Sequence, residues 1–97
     1  MTMHNPPHPG EFITDVYLQP NEISGRELAA KLGVAPSTLN RVLTGTSGIS
    51  PEMALRLAKG LGRSPESWLA MQHNYDLWHA RRRINLKNVS KVHLKAA

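Results

Sequence analysis

The chain has 97 residues, a length that suits one compact domain, and no cysteine, which excludes disulfide staples, thiol catalysis and cysteine-ligated zinc. Its formal net charge of +5 points to an anionic partner, and the excess is uneven: residues 1–55 hold Arg26, Lys31 and Arg41 against five acids, residues 56–97 nine Lys or Arg against Glu66 and Asp76. Apolar runs are short, and "MTMHNPPHPGEF" has neither the charged start nor the apolar centre of a signal peptide, so a cytoplasmic protein with no membrane partner is expected.

Strand signals are weak and helix starts are well marked, so the chain is expected to be all-α, with five helices near 9–18, 24–32, 36–44, 50–61 and 64–82. Residues 1–8 read as an extended arm, and "HPGE" beginning at His8 is a weak start for the first helix. "SGRE" at Ser24 is a capping box: the hydroxyl can accept the third helical N–H, Glu27 can reach back, and Ile23 with Leu28 can close a hydrophobic staple. "SPEM" at Ser50 and "SPES" at Ser64 share one pattern, a Ser cap, Pro at the first helical position, then Glu near the positive end of the helix dipole. Gly45 and Gly62 suit left-handed helix stops. Apolar residues recur at helical spacing as Phe12, Ile13, Val16 and Tyr17; Leu28, Ala29 and Leu32; Leu39, Val42 and Leu43; Ala54, Leu57, Ala58 and Leu61; and Trp68, Met71, Tyr75 and Trp78. The segment from residue 83 to 97 reads as a basic tail or a short edge strand.

The stretch "LAAKLGVAPSTLNRVLTG" breaks a helix and restarts it at once. Two short helices meeting at a sharp angle need positive φ at the bend, a small residue at the crossing, and apolar residues locking the second helix to the first. Gly33, Ala29, and Leu39 with Val42 meet these needs, and Val34 plugs the turn. If Leu39, Val42 and Leu43 face inward, Ser37, Thr38, Asn40, Arg41 and Thr44 face out. These residue types suit a DNA groove: Arg pairs with guanine, Asn with adenine, and Ser or Thr with bases or phosphates. Ser37, Thr38 and Arg41 are expected at base edges, and Arg26, Asn40, Thr44 and Ser47 at the DNA backbone. A polar outer face is also the default of any soluble bundle, which leaves a helix-turn-helix used only as scaffold as the competing reading.

With Ala29, Gly33, Val34, Leu39, Val42 and Gly45 in these positions, residues 9–70 resemble the helix-turn-helix family of lambda-type phage repressors and Cro proteins. The resemblance implies a lambda-repressor-like bundle in which 36–44 is the recognition helix and two protomers read half-sites roughly 34–36 Å apart. "HPGEFI" and "ISPEMALRLAKGLGRSPESWLAMQHNYDLWHAR" narrow this, because over residues 8–81 the chain resembles the HigA (VapI-type) antitoxins. That resemblance implies a homodimer that represses its own toxin–antitoxin operon on double-stranded operator DNA and neutralises a small RelE-like messenger-RNA endonuclease.

From the residues alone, the late helix puts Trp68, Met71, Gln72, Tyr75 and Trp78 on roughly one face, which suits either the core or a dimer interface. "RRR" at Arg81–Arg83, followed by Lys87, Lys91 and Lys95 with no acids, suits a solvated tail or phosphate contacts beside the operator. An RNA-binding toxin would itself be basic, which disfavours docking of this tail on its active site. No cofactor, metal site or enzyme is expected: His4, His8, His73, His79 and His93 are not spaced i, i+4 on one helix, and Ser50 and Ser64 are accounted for by capping. Two alternatives stand beside the antitoxin. One is a phage-type or general repressor without a toxin, which usually carries a separate dimerisation domain; the other is a protein-interaction module with incidental DNA affinity.

Overall fold

The computed structural model describes residues 5–95, so part of the expected arm and the last two residues of the tail lie outside the described residues. Five α-helices follow in order: α1 (Pro9–Ile13), α2 (Gly25–Leu32), α3 (Pro36–Leu43), α4 (Pro51–Leu61) and α5 (Pro65–Arg83). No strand forms among the described residues, and the tail after α5 is irregular and exposed. None of these helices is long and apolar enough to cross a membrane.

The three expected Ser caps are present. Ser24, Ser50 and Ser64 each have an extended backbone, and each hydroxyl accepts the amide of the residue three positions on, at 3.0 Å from Glu27 and 3.1 Å from Met53 and Ser67. His8 does the same for α1: its Nδ1 accepts from the Gly10 amide at 2.9 Å. The first helix departs from expectation after Ile13. It continues without a break as a π-helical stretch, Thr14–Leu18, in which the Gln19 amide reaches back five residues to the Thr14 carbonyl. That wider winding turns Leu18 into the core and leaves Val16, expected inward, 45% exposed.

One core unites the helices. Ile13, Leu39, Leu57, Ala29, Ala54 and Trp68 are fully buried, with Leu18, Leu28, Leu32, Val42, Ile49 and Met53 around them. Trp68 is its largest member; its indole N–H donates to the Gly62 carbonyl at 2.9 Å, and Phe12 and Tyr17 pack on its ring with centroids 6.0 Å away.

Candidate nucleic-acid interface

The bend between α2 and α3 is built as the spacing predicts. Gly33 has φ +73°, and the chain closes a Schellman motif: the Val34 amide reaches the Ala29 carbonyl at 3.0 Å and the Gly33 amide reaches Ala30 at 3.2 Å. A tertiary partner completes this end. Arg56 of α4 extends its Nη1 to the Leu32 carbonyl at 2.8 Å and to that of Gly33 at 3.3 Å, a role that local patterns give no hint of.

Three neighbours then hold α3. Leu39 and Val42 enter the core from its inner face. On one side α1 comes so close that a Cβ on Gly10 would overlap the Val42 carbonyl oxygen and stand 2.8 Å from the Leu43 Cα. On the other, the loop after α3 folds back so that the Ser47 amide donates to the Arg41 carbonyl at 2.9 Å, and α5 clamps the loop further on. There the Gln72 Oε1 accepts the Ile49 amide at 2.9 Å, while its Nε2 donates to Asp76 at 3.0 Å.

With the inner face so fixed, the outer face is free. Ser37, Thr38, Asn40, Arg41 and Thr44 are all exposed, Arg26 is exposed at the start of α2, and Ser47 is half-buried. Arg26, Ser37 and Asn40 come together around an open depression of about 640 Å³, floored by Gly25, Pro36 and Leu43. Ala35 provides no side-chain cap for α3, so the first turn meets solvent uncapped beside Ser37 and Thr38. Thr44, expected at the DNA backbone, already has hydroxyl partners within the protein. Its hydroxyl donates to the Asn40 carbonyl at 2.9 Å and lies 3.1 Å from the Thr46 hydroxyl, so its one proton is already engaged within the protein.

The aromatic helix divides. Trp68 is fully buried and Gln72 only 6% exposed, both held by intramolecular hydrogen bonds, so the expected interface role of these two residues is corrected: they build the protomer itself. Met71, Tyr75 and Trp78 are half-buried. Tyr75 stands edge-on to His8 at 4.9 Å and against His79 at 4.3 Å, while the Arg82 guanidinium lies over the Trp78 ring at 4.6 Å. His8 is the one titratable group here with a clear shift: burial lowers its pKa below 6.5, against the opposing pull of Asp76 and Glu11. Among the described residues no group of three or more His, Cys, Asp or Glu could hold a metal.

Residues 17–68 match the family model described as Helix-turn-helix. An uncharacterized HTH-type transcriptional regulator, YddM, of Escherichia coli K12 is 36% identical over 92 residues, covering 95% of this chain and 97% of its own. Antitoxin HigA-1 of Vibrio cholerae serotype O1 is 37% identical over 82 residues, 84% of this chain and 77% of that one. Among solved structures, antitoxin GraA in complex with its operator superposes with a TM-score of 0.82 at 34% identity, covering all of this chain (100%) and 98% of that one. The chain belongs to the helix-turn-helix family, within the group of the HigA antitoxins.

Proposed function

We propose that this protein is an antitoxin that binds the operator of its own toxin–antitoxin operon as a homodimer and neutralises the toxin encoded beside it. The observation that carries this reading is the exposed outer face of α3, with Ser37, Thr38 and Arg41, on a helix whose inner face is locked by Leu39 and Val42. The complex of GraA with its operator supports the DNA partner, and the HigA-1 relative supports the antitoxin role.

In this reading α3 lies in the major groove. Ser37, Thr38 and Arg41 reach base edges; Arg26 and Asn40, gathered at one depression, hold the phosphates on one flank with Ser47 on the other. Thr44 acts by shaping the end of α3 and accepts, rather than donates, any outside hydrogen bond. Met71, Tyr75 and Trp78 contribute to the subunit contact, and the toxin is a RelE-like messenger-RNA endonuclease.

Gel-shift titration against the DNA upstream of the protein's own gene, at several salt concentrations, tests the first half. Binding to that DNA at least about tenfold tighter than to random duplex is expected, with affinity falling steeply as salt rises. Equal affinity for both DNAs would overturn it. Co-expression with the neighbouring reading frame tests the second half: a stable complex that relieves growth arrest is expected, and unrelieved arrest would remove the antitoxin role.

A further inference from the structure

Among the described residues, Gln72 is the one buried polar side chain of α5, and it reaches 23 residues back along the chain to the loop between α3 and α4. Its orientation there is forced. A backbone amide only donates and an ionised carboxylate only accepts, so a side-chain amide set between the Ile49 N–H and Asp76 must turn Oε1 to the first and Nε2 to the second, as it does at 2.9 and 3.0 Å. The same side chain accounts for Gly48. That residue does not have positive φ, so its backbone does not call for glycine, but a Cβ on it would stand 2.9 Å from the Gln72 Cδ and 3.0 Å from Nε2. The missing side chain at 48 makes room for the Gln72 amide.

The strip held in this way continues the recognition helix. From Thr44 to Gly48 every residue is exposed except Ser47, which is half-buried. Alternate amides of the strip are tied within the protein: Gly45 to the Val42 carbonyl at 3.1 Å, Ser47 to that of Arg41 at 2.9 Å, and Ile49 to Gln72. The Thr46 and Gly48 amides between them have no partner among the described residues. Two such donors flanking the Ser47 hydroxyl suit a phosphate oxygen. Of the three ties, only the one to Gln72 reaches a different helix.

We propose that Gln72 is a positioning residue for operator binding: by fixing the Ile49 amide to α5, it holds residues 46–48 where their backbone amides and Ser47 meet a phosphate beside the groove that α3 enters. This deepens the operator-binding reading and rests on it. Gln72 is 6% exposed and acts without touching the duplex, through the Ile49 amide alone. Asp76 acts one step further back, by setting which way the Gln72 amide faces. Since α5 also carries Met71, Tyr75 and Trp78, the same bond sets the strip relative to the proposed subunit contact.

Substitutions at these residues test the role, at a temperature where circular dichroism shows every variant folded. Gln72→Met keeps the side chain's length and removes both bonds, and should weaken operator binding at least about tenfold in gel-shift titration. In the free protein the same change should speed hydrogen exchange of the Ile49 amide at least about tenfold. Gly48→Ala leaves Gln72 in place but displaces its amide, so it should match the loss in binding, and the two changes together should weaken binding no further. Gln72→Glu combined with Asp76→Asn keeps an acceptor for Ile49 and reverses donor and acceptor in the second bond; it should bind operator within about threefold of wild type, whereas Gln72→Glu alone sets two carboxylates together and should not. Losses that add, or a swap that recovers nothing, would overturn the positioning role. Faster Ile49 exchange in Gln72→Met with operator affinity unchanged would overturn it as well. A wild-type protein that binds operator no tighter than random duplex would instead refute the operator reading, whatever the exchange rate of Ile49.

Discussion

Arg41 is the one charged side chain of α3, and it stands exposed on the face opposite Leu39 and Val42. Its replacement by Ala should cost about 1–3 kcal/mol on the cognate operator and much less on random DNA, measured by titration of both. An equal loss on the two would mean that Arg41 only positions the protein on the backbone. Arg41→Lys should recover little, because an ammonium cannot reproduce the planar two-point contact with guanine. His8 carries a prediction of a different kind. Its Nδ1 can accept the Gly10 amide only while unprotonated, and its folded pKa lies below the ordinary 6.5. Above pH 6.5 both folded and unfolded forms are neutral and the cap is intact; as pH falls through that value the unfolded chain takes up the proton first, and stability declines until the folded pKa is passed. His8→Asn keeps a capping acceptor but cannot titrate, so this part of the acid decline in thermal melts should disappear in the variant. An unchanged decline would assign it to another group.

At the scale of elements, what was legible in the sequence was what local chemistry decides. The three Ser caps, the Gly33 bend and the inner face of α3 depend on neighbours within a few residues, and each stands where its spacing placed it. What escaped needed a partner distant in the chain. The π-helical winding of Thr14–Leu18 answers to how that segment packs, so Val16 and Leu18 exchanged places relative to an ideal helix. The helical spacing showed that Trp68 and Gln72 lie near one face of α5, but not that this face closes over Gly62 and Ile49. Arg56 reads as a surface residue until the end of α2 is seen under it. Two variants separate the contributions to the bend. Gly33→Ala forces a Cβ into φ +73° and within 3.1 Å of the Arg56 guanidinium, and should destabilise the fold by about 1–2 kcal/mol in urea titrations. Gly10→Ala, which drives α1 off the end of α3, should lower DNA affinity as well as stability. A Gly10→Ala protein with full operator affinity would show that α1 does not position the recognition helix.

Taken whole, the molecule measures 55 × 28 × 25 Å, and its formal charge of +5 is concentrated beyond residue 55 rather than on α3. In the proposed reading, sequence recognition and electrostatic attraction are therefore carried by different parts of the chain. Changing Lys87, Lys91 and Lys95 together to Gln should leave the preference for the operator over random DNA intact while reducing the salt dependence of binding, by up to about 0.9 in log–log slope for each phosphate that the tail no longer neutralises. An unchanged slope would return the tail to solvent. The DNA-binding expectations rest on the outer face of α3 entering duplex DNA, and nuclear magnetic resonance of the labelled protein titrated with its operator duplex tests that most directly. The largest amide shifts should fall at Arg26, across Ser37–Thr44 and at Ser47, with the core amides of α4 little changed; shifts confined to α5 and the tail, with α3 unmoved, would contradict the account.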